Sequence, residues 1–552
     1  MAEIVLAAFN ARYAHSSFGA RYLLANMGKW REQTELIEFD LQQQPRVVVE
    51  EILARNPRIV GIGCYIWNIE LATKVAALIK SIQPGIKIVL GGPETSYETE
   101  EQEIFQYADY VICGEGEIEF PKLCQSLLEA GDTPVPPASS RPCPVPPASS
   151  GLPRIIKAEP VDVMQIALPY NLYTDEDIAH RAIYVEASRG CPFHCEYCMS
   201  SLDPSVRYFP PEKLFPAFEK LLDRGATTFK FVDRTFNLDI DFALKVLEFF
   251  HTRHKPGMML HFEVIPDRLP DELMEAVNQC PPGMLQFEVG IQTFNEAVAH
   301  RIQRPLNIEK IETNMRRLRE ETGVHIHSDL IAGLPGEDLE SFESGFNRLL
   351  ALNPQEIQLG ILKRLRGVPI DRHSSDWNMV YSPHAPYEIL QTSQISFGDM
   401  QRISRFARYW NLTVNNGQFV HTAPLLWKNA ASPFAAFMQW SDWLYAKTNT
   451  TGNLHMLRIA KLLLEFLVQE KGIGEKTATK SLWVDYQRGN RPDVPGFLKK
   501  FSAEQGRQDV GDTNVPPASS KLRPVPPTSS RLRPVPPASS GLPRQSRHQA
   551  DL

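Results

Sequence analysis

Two long stretches of the chain alternate short apolar runs with amphipathic segments. In the first, EIVLAAFN (3–10), ELIEFD (35–40), RIVGIGCYIW (58–67), KIVLGGPE (87–94) and DYVICGEGE (109–117) read as strands. Helical spacing fills the gaps, for example over 69–82 and 117–130. Strands covered on both faces read as continuous apolar runs, as these do. The pattern predicts an α/β fold that begins with a doubly wound, flavodoxin-like sheet over 1–131. Ligands in such sheets sit beyond the carboxyl ends of the strands.

The second series starts at 181. Strands are expected at 182–190, 227–236, 258–265, 284–293, 324–334 and 356–362, with helices near 211–224, 239–254, 270–280, 308–322 and 337–352. Six βα repeats fall short of an eight-stranded barrel. From 366 to 505 the strand rhythm is lost. Helical patterns near 385–410, 427–446, 454–471 and 475–486 predict a mostly helical domain. Its tryptophans (Trp377, Trp410, Trp427, Trp440, Trp443) are expected to fill a core rather than form a lid.

Between the two βα series lies a linker, 132–180, and a tail runs over 506–552. Both carry the same Pro/Ser-rich decamer: VPPASSGLPR occurs at 145–154 and again at 535–544. Such repeats bury too little apolar surface to fold. An inserted low-complexity element is favoured over a polyproline ligand.

Composition adds boundaries. The 552 residues are 43% hydrophobic with a net charge of -7, which gives no push toward nucleic acid or anionic membranes. No run of eighteen apolar residues occurs, and the amino terminus lacks a basic signal-peptide region. A cytoplasmic protein with free thiols is expected.

The chemistry concentrates in AIYVEASRGCPFHCEYC, where Cys191, Cys195 and Cys198 form CxxxCxxC after the first strand of the second series. Structural zinc wants a fourth ligand, and Cys280 stands alone. Three thiolates can instead hold three irons of a 4Fe–4S cluster and leave the fourth open. This loop resembles the cluster loop of the radical S-adenosylmethionine (SAM) superfamily. The resemblance implies an open, partial (βα)6 barrel over 181–365, with SAM on the open iron. It also implies SAM contacts. Asp233 in FVDRTFN would hold the SAM amino group, the competing reading being a salt bridge to Arg234 or Arg189. Glu288 and Gln292 in FEVGIQTFN would face the ribose. The backbone at Ile331 and Gly333 in HSDLIAGLPGE would flank the adenine, and the Tyr197 carbonyl would meet the adenine amine.

GIGCYIWN (61–68), VLGGPE (89–94) and VICGEGE (111–117) resemble the strand ends of cobalamin-binding domains fused to radical SAM barrels. By that resemblance Cys64, Gly91, Gly92, Gly114, Glu115 and Gly116 would contact cobalamin. The first loop, YAHSSFG, departs from DxHxxG: Tyr13 stands at the Asp position and Gly19 is one residue late, so His15 is expected in a capping or core role. Cys64, Cys113 and Cys124 match poorly the second three-Cys set of tRNA methylthiotransferases. The chain thus resembles a subgroup whose C-terminal domain has no assigned function. The implied activity is methylation of an unactivated carbon of an unknown substrate, with an electron donor such as flavodoxin or ferredoxin. The alternatives are a radical ring closure or rearrangement, or a non-catalytic cobalamin or redox sensor.

Overall fold

A computed structural model describes residues 2–11, 14–129, 152–488 and 494–499. Most of the Pro/Ser repeats, the tail and Tyr13 lie outside the described residues.

The first sheet contains β1 (Ile4–Asn10), β2 (Thr34–Asp40), β3 (Ile59–Gly63), β4 (Lys87–Gly91), β5 (Tyr110–Cys113) and β6 (Ile155–Lys157). Its order is β2-β1-β3-β4-β5-β6, all parallel. Helices cover both faces, and two buried clusters flank the sheet: Val5, Val60 and Ile88 on one side, Ile4, Ile59 and Val89 on the other. The order agrees with the flavodoxin-like expectation, extended by one strand. That extra strand, β6, comes from the segment expected to be a linker. Arg154, the last residue of the first repeat, holds it in place: its Nε donates to the Ala108 carbonyl and its guanidinium lies 3.9 Å from the centre of the Phe105 ring.

β7 (Ile183–Val185) opens the second series. A short antiparallel pair, β8 (Ser188–Arg189) and β9 (Arg207–Tyr208), brackets the cysteine loop. Then come β10 (Thr228–Phe231), β11 (Met259–Val264), β12 (Leu285–Gln292), β13 (His325–Ala332) and β14 (Glu356–Ile361). These pair in parallel in the order β14-β13-β12-β11-β10-β7, the six-stranded open sheet expected of a partial barrel. The expected strands at 58–67, 109–117 and 182–190 stop early, because their last residues form the loops that carry the site.

β15 (Val380–Tyr381) and β16 (Ile389–Gln391) precede four main helices: Phe397–Trp410, Pro433–Thr448, Met456–Gln469 and Glu475–Arg488. The reading of the tryptophans as core residues holds for Trp410 and Trp440, both fully buried, while Trp377, Trp427 and Trp443 pack against the same core partly exposed. Phe406 and Trp410 meet Phe346 of the barrel's last helix at 5.2 and 4.9 Å, edge to face. One apolar core therefore runs from the barrel into the helical domain.

Candidate functional site

The cysteine loop begins where the chain must turn sharply. Gly190 has φ +87, and a Cβ there would lie 2.1 Å from the Ser205 carbonyl oxygen, so only glycine fits. The Cys191 N–H donates to the Asp203 carbonyl and the Cys198 N–H to the Cys195 carbonyl. Cys191 and Cys195 are buried and Cys198 is half-buried. Burial raises the Cys191 thiol, and the neighbouring Cys198 and Cys195 add to the rise against the charge of Arg304. The described residues bring no three ligating side chains together at single-ion distance, but Cys191 lies near enough to Cys195 and Cys198 to feel their charge, which a cationic iron cluster would offset. Arg304 supplies a fixed counter-charge: its Nη1 donates to Cys195 Sγ at 3.3 Å, and its Nη2 to the Gly290 carbonyl at 2.5 Å.

A cavity of about 830 Å³ separates the two sheets. Its wall is built from the ends of β1, β3, β4 and β5 on one side and from Tyr184, Lys230, Arg234 and Glu263 of the barrel on the other. Gly91, Gly92, Gly114, Glu115 and Gly116 all line it. Their reasons differ. A Cβ on Gly91 would touch nothing closer than 3.7 Å, so its bareness leaves open space. Gly92 has φ +101, and a Cβ there would lie 2.5 Å from the Cys64 carbonyl oxygen. That glycine lets two loops pack together. The volume of the cavity and its glycine-edged wall suit a large flat ring.

Two expected cobalamin contacts are revised. Cys64 does not line the cavity: it is fully buried behind the loop, its N–H donating to the Gly91 carbonyl at 2.7 Å. Glu115 does line it, but its carboxylate is taken by Arg207 at 2.8 Å and by the Val161 N–H at 2.5 Å. It therefore ties the first sheet to the β8–β9 pair. His15 is neither cap nor core. It stands on the cavity wall with Nδ1 2.5 Å from Tyr184 Oη.

On the barrel side, Asp233 is revised too. It is 3% exposed, absent from the cavity wall, and saturated by the Ala187 N–H at 2.9 Å and the Ser188 hydroxyl at 2.6 Å. Burial raises its carboxyl to about 7 against those donors. It ties the end of β10 to the segment after β7. The alternative salt bridge fails as well, because Arg234 pairs with Glu263 at 3.0 Å, and Arg189 with Glu117 at 2.7 Å and Glu186 at 2.9 Å.

Along β12, Glu288, Gly290 and Gln292 are half-buried and alternate with buried Phe287, Val289 and Ile291. Glu288 and Gln292 thus share the open face, as expected. Burial opposes charge on Glu288, but the His261 ring at 2.8 Å and the charges of Lys230 and His327 override it and hold the carboxyl at about 2. Gln292 has φ +71 at a register shift, and its Oε1 is buried without a hydrogen-bond partner. A strained residue with an orphaned acceptor is a candidate ligand contact. Ile331 lies half-buried on the corresponding face of β13. Gly333, φ +88, answers mainly to Ile389 of β16, whose Cγ2 lies 2.6 Å from where a Cβ would sit. Tyr197 packs against the core beside the cysteines.

The sequence reading missed the charged interior. Glu263 pairs in register with Glu288, Glu288 with His327, and His327 with Glu356. Polar residues at every second position of MLHFEV and HIHSDLIA were the available signal. His327 Nε2 and Asp329 Oδ1 lie 3.4 Å apart, both buried and without a hydrogen bond.

Three family models match in series. A B12-binding domain covers residues 4–124, the radical SAM superfamily 185–349, and a protein of unknown function (DUF4080) 375–514. A 2-(S-pantetheinyl)-carbapenam-3-carboxylate methyltransferase from Streptantibioticus cattleyicolor is 27% identical over 60% of this chain and 51% of its own. The cobalamin-dependent radical SAM methyltransferase TokK from Streptomyces tokunonensis is 26% identical over 56% and 47%. The chain spans about half the length of these curated relatives. In fold it is similar to the radical SAM methyltransferase TsrM from Kitasatospora setae, solved with cobalamin and a 4Fe–4S cluster bound. The TM-score is 0.51 at 17% identity, covering 67% of this chain and 77% of that one. No helix among the described residues is long and apolar enough to cross a membrane. The cofactors that go with these domains are a 4Fe–4S cluster, SAM and cobalamin. The chain is a radical SAM protein with an N-terminal cobalamin-binding domain and a C-terminal domain of unassigned function.

Proposed function

We propose that the chain is a cytoplasmic, cobalamin-dependent radical SAM methyltransferase that methylates an unactivated carbon. The single observation that carries this reading is the shared cavity: the carboxyl ends of β1, β3, β4 and β5 open directly onto the barrel mouth at Lys230, Arg234 and Glu263. When bound, the cofactors supply a carbon-centred radical and a methyl donor. Cys191, Cys195 and Cys198 hold the cluster, with Arg304 fixed against Cys195. Glu288 and Gln292 orient the SAM ribose, the backbone at Ile331 and Gly333 flanks its adenine, and the Tyr197 carbonyl meets the adenine amine. Gly91, Gly92, Gly114 and Gly116 leave room for cobalamin. An electron donor such as flavodoxin or ferredoxin would reduce the cluster.

His327 Nε2 and Asp329 Oδ1 are buried, face each other at 3.4 Å and make no hydrogen bond. Such atoms are costly unless a ligand or water satisfies them.

The test is anaerobic reconstitution of the full chain with iron, sulfide and hydroxocobalamin. About one cluster and one cobalamin per chain are expected, with 5′-deoxyadenosine formed from SAM on reduction. A chain that holds its cluster but takes up no cobalamin would defeat the methyltransferase reading. Absence of SAM cleavage by a cluster-loaded chain would defeat the radical reading.

A further inference from the structure

Glu196 lies between the second and third cysteines of the cluster loop. Its side chain is fully buried. A buried carboxylate survives only when its lone pairs and charge are met. Here Arg372 donates Nε to Oε2 at 3.0 Å and Nη2 to Oε1. His373 Nε2 lies 2.7 Å from Oε2, and Gln303 Nε2 donates to Oε1 at 2.8 Å. The backbone joins in: the Ile370 N–H donates to the Glu196 carbonyl, and the Glu196 N–H to the Ile302 carbonyl, both at 3.1 Å.

Arg372 and His373 belong to a short turn, Pro369–His373, just ahead of the C-terminal domain match that begins at 375. A few residues earlier the same stretch grips the other domain. Arg364 pairs with Glu98 at 3.1 Å, and Arg366 pairs with Glu94 at 2.9 Å and Glu98 at 2.8 Å. Glu94 and Glu98 follow β4 of the cobalamin-binding sheet. Tyr387 of the C-terminal segment donates its hydroxyl to Glu94 at 2.8 Å. Between the two grips, Gly367 has φ +80, and a Cβ there would lie 2.4 Å from the Tyr97 ring. Any larger residue would lift the stretch off the sheet.

We propose that residues 364–373 form a strap that fixes the cluster loop relative to the cobalamin-binding sheet, with Glu196 as its handle. Arg372 and His373 are then positioning residues: they act through Glu196 on the cysteines beside it. Without them Gln303 alone faces a buried anion, and the loop gains by opening to water. The strap assigns the lead-in to the C-terminal domain a task, which is to hold the two cofactor-bearing halves in one alignment. The inference rests on the cluster reading of the cysteine loop, and its test separates the two.

Arg372 is 55% exposed, so Arg372→Ala should fold. The double variant Arg372→Ala/His373→Gln is prepared in the full chain beside it. Amide hydrogen exchange over 191–202 is followed without iron. Iron release to a chelator is followed after reconstitution. Protection of 191–202 should fall by about tenfold or more in the double variant, with iron released correspondingly faster, because charged hydrogen bonds of this kind are lost. Adding Glu196→Gln to the double variant should restore much of the protection by removing the unpaired charge. Arg366→Ala should loosen 191–202 as well as 94–102. Unchanged exchange over 191–202 in the double variant overturns the strap, and so does an Arg366→Ala effect confined to 94–102. If protection falls as expected but the unaltered chain takes up no iron, the strap stands and the cluster assignment falls.

Discussion

At the carboxyl end of the first sheet, Gly91, Gly114 and Gly116 border a cavity whose wall is largely backbone and apolar side chain. In the second sheet, Glu263, Glu288, His327 and Asp329 crowd the corresponding face with ionisable groups, and Arg304 reaches in to the Gly290 carbonyl. Both sheets are parallel and both carry their chemistry at or near the strand ends. They differ in what they must hold. A large, mostly apolar ring is accommodated by removing side chains. A small, charged cofactor needs donors and acceptors at set distances, so side chains must be present and themselves held. The barrel pairs most of its charges internally and leaves some buried atoms without a hydrogen bond, Gln292 Oε1 on the open face of β12 among them. Those exceptions mark where a ligand makes up the difference.

The largest effect should come from the cysteines. Replacing any one of Cys191, Cys195 or Cys198 with Ala should abolish the iron content of the anaerobically reconstituted chain. Cys280→Ala should keep it, since that thiol is buried and donates only to the Ala276 carbonyl at 3.5 Å. Iron retained at full level in Cys195→Ala would refute the three-ligand cluster.

Next in size, the two glycines after β4 should part company. Gly91→Leu would project into the open cavity, and hydroxocobalamin affinity should drop by about tenfold or more through lost space, with the melting temperature nearly unchanged. Gly92→Ala would place its Cβ 2.5 Å from the Cys64 carbonyl oxygen at a positive φ. It should cost about 1–3 kcal/mol of stability. Titration and thermal unfolding of both variants check this. Full cobalamin affinity in Gly91→Leu would mean that the ring sits elsewhere.

The same contrast explains how much the sequence disclosed. Both sheets were legible because buried parallel strands read as apolar runs, and the cysteine loop because three ligands fall within eight residues. The glycine-rich strand ends were legible for a related reason: a turn that needs glycine shows it locally. Roles set by distant partners were not. Asp233 looks like a free carboxylate at a strand end, and only the fold reveals that the Ala187 N–H and the Ser188 hydroxyl occupy it. Cys64 follows a strand like any site residue, but the crossing of two loops puts it behind Gly92. β6 is three residues long and follows a repeat that masks it, so no periodicity could register. Glu196 drew no notice because its partners, Arg372 and His373, lie more than 170 residues downstream.

The smallest effect, and the one that decides between two roles, concerns Asp233. In the fold its carboxyl is raised to about 7 by burial, against the donors Ser188 and Ala187. Unfolded, it would titrate near the ordinary value of 3.8. Between those values the native chain binds the extra proton, so this group lowers stability as pH rises from about 4 to about 7, by roughly 1.4 kcal/mol per unit at most. Above pH 7 the loss is complete and the contribution is flat. Asp233→Asn keeps the shape and can still accept from the Ala187 N–H while its amide donates to the Ser188 hydroxyl. The variant should therefore gain stability relative to the parent chain across pH 4 to 7, and its SAM affinity should stay within about twofold, since no charged hydrogen bond to the ligand is lost. A carboxylate that held the SAM amino group would behave in the opposite way. It would be ionised in the complex, and Asn would weaken SAM binding by about tenfold or more while leaving the pH dependence of the free chain untouched. Thermal unfolding from pH 4 to 8, with SAM titrations at pH 7.5, separates the two, and a tenfold loss of SAM affinity would return Asp233 to the cofactor.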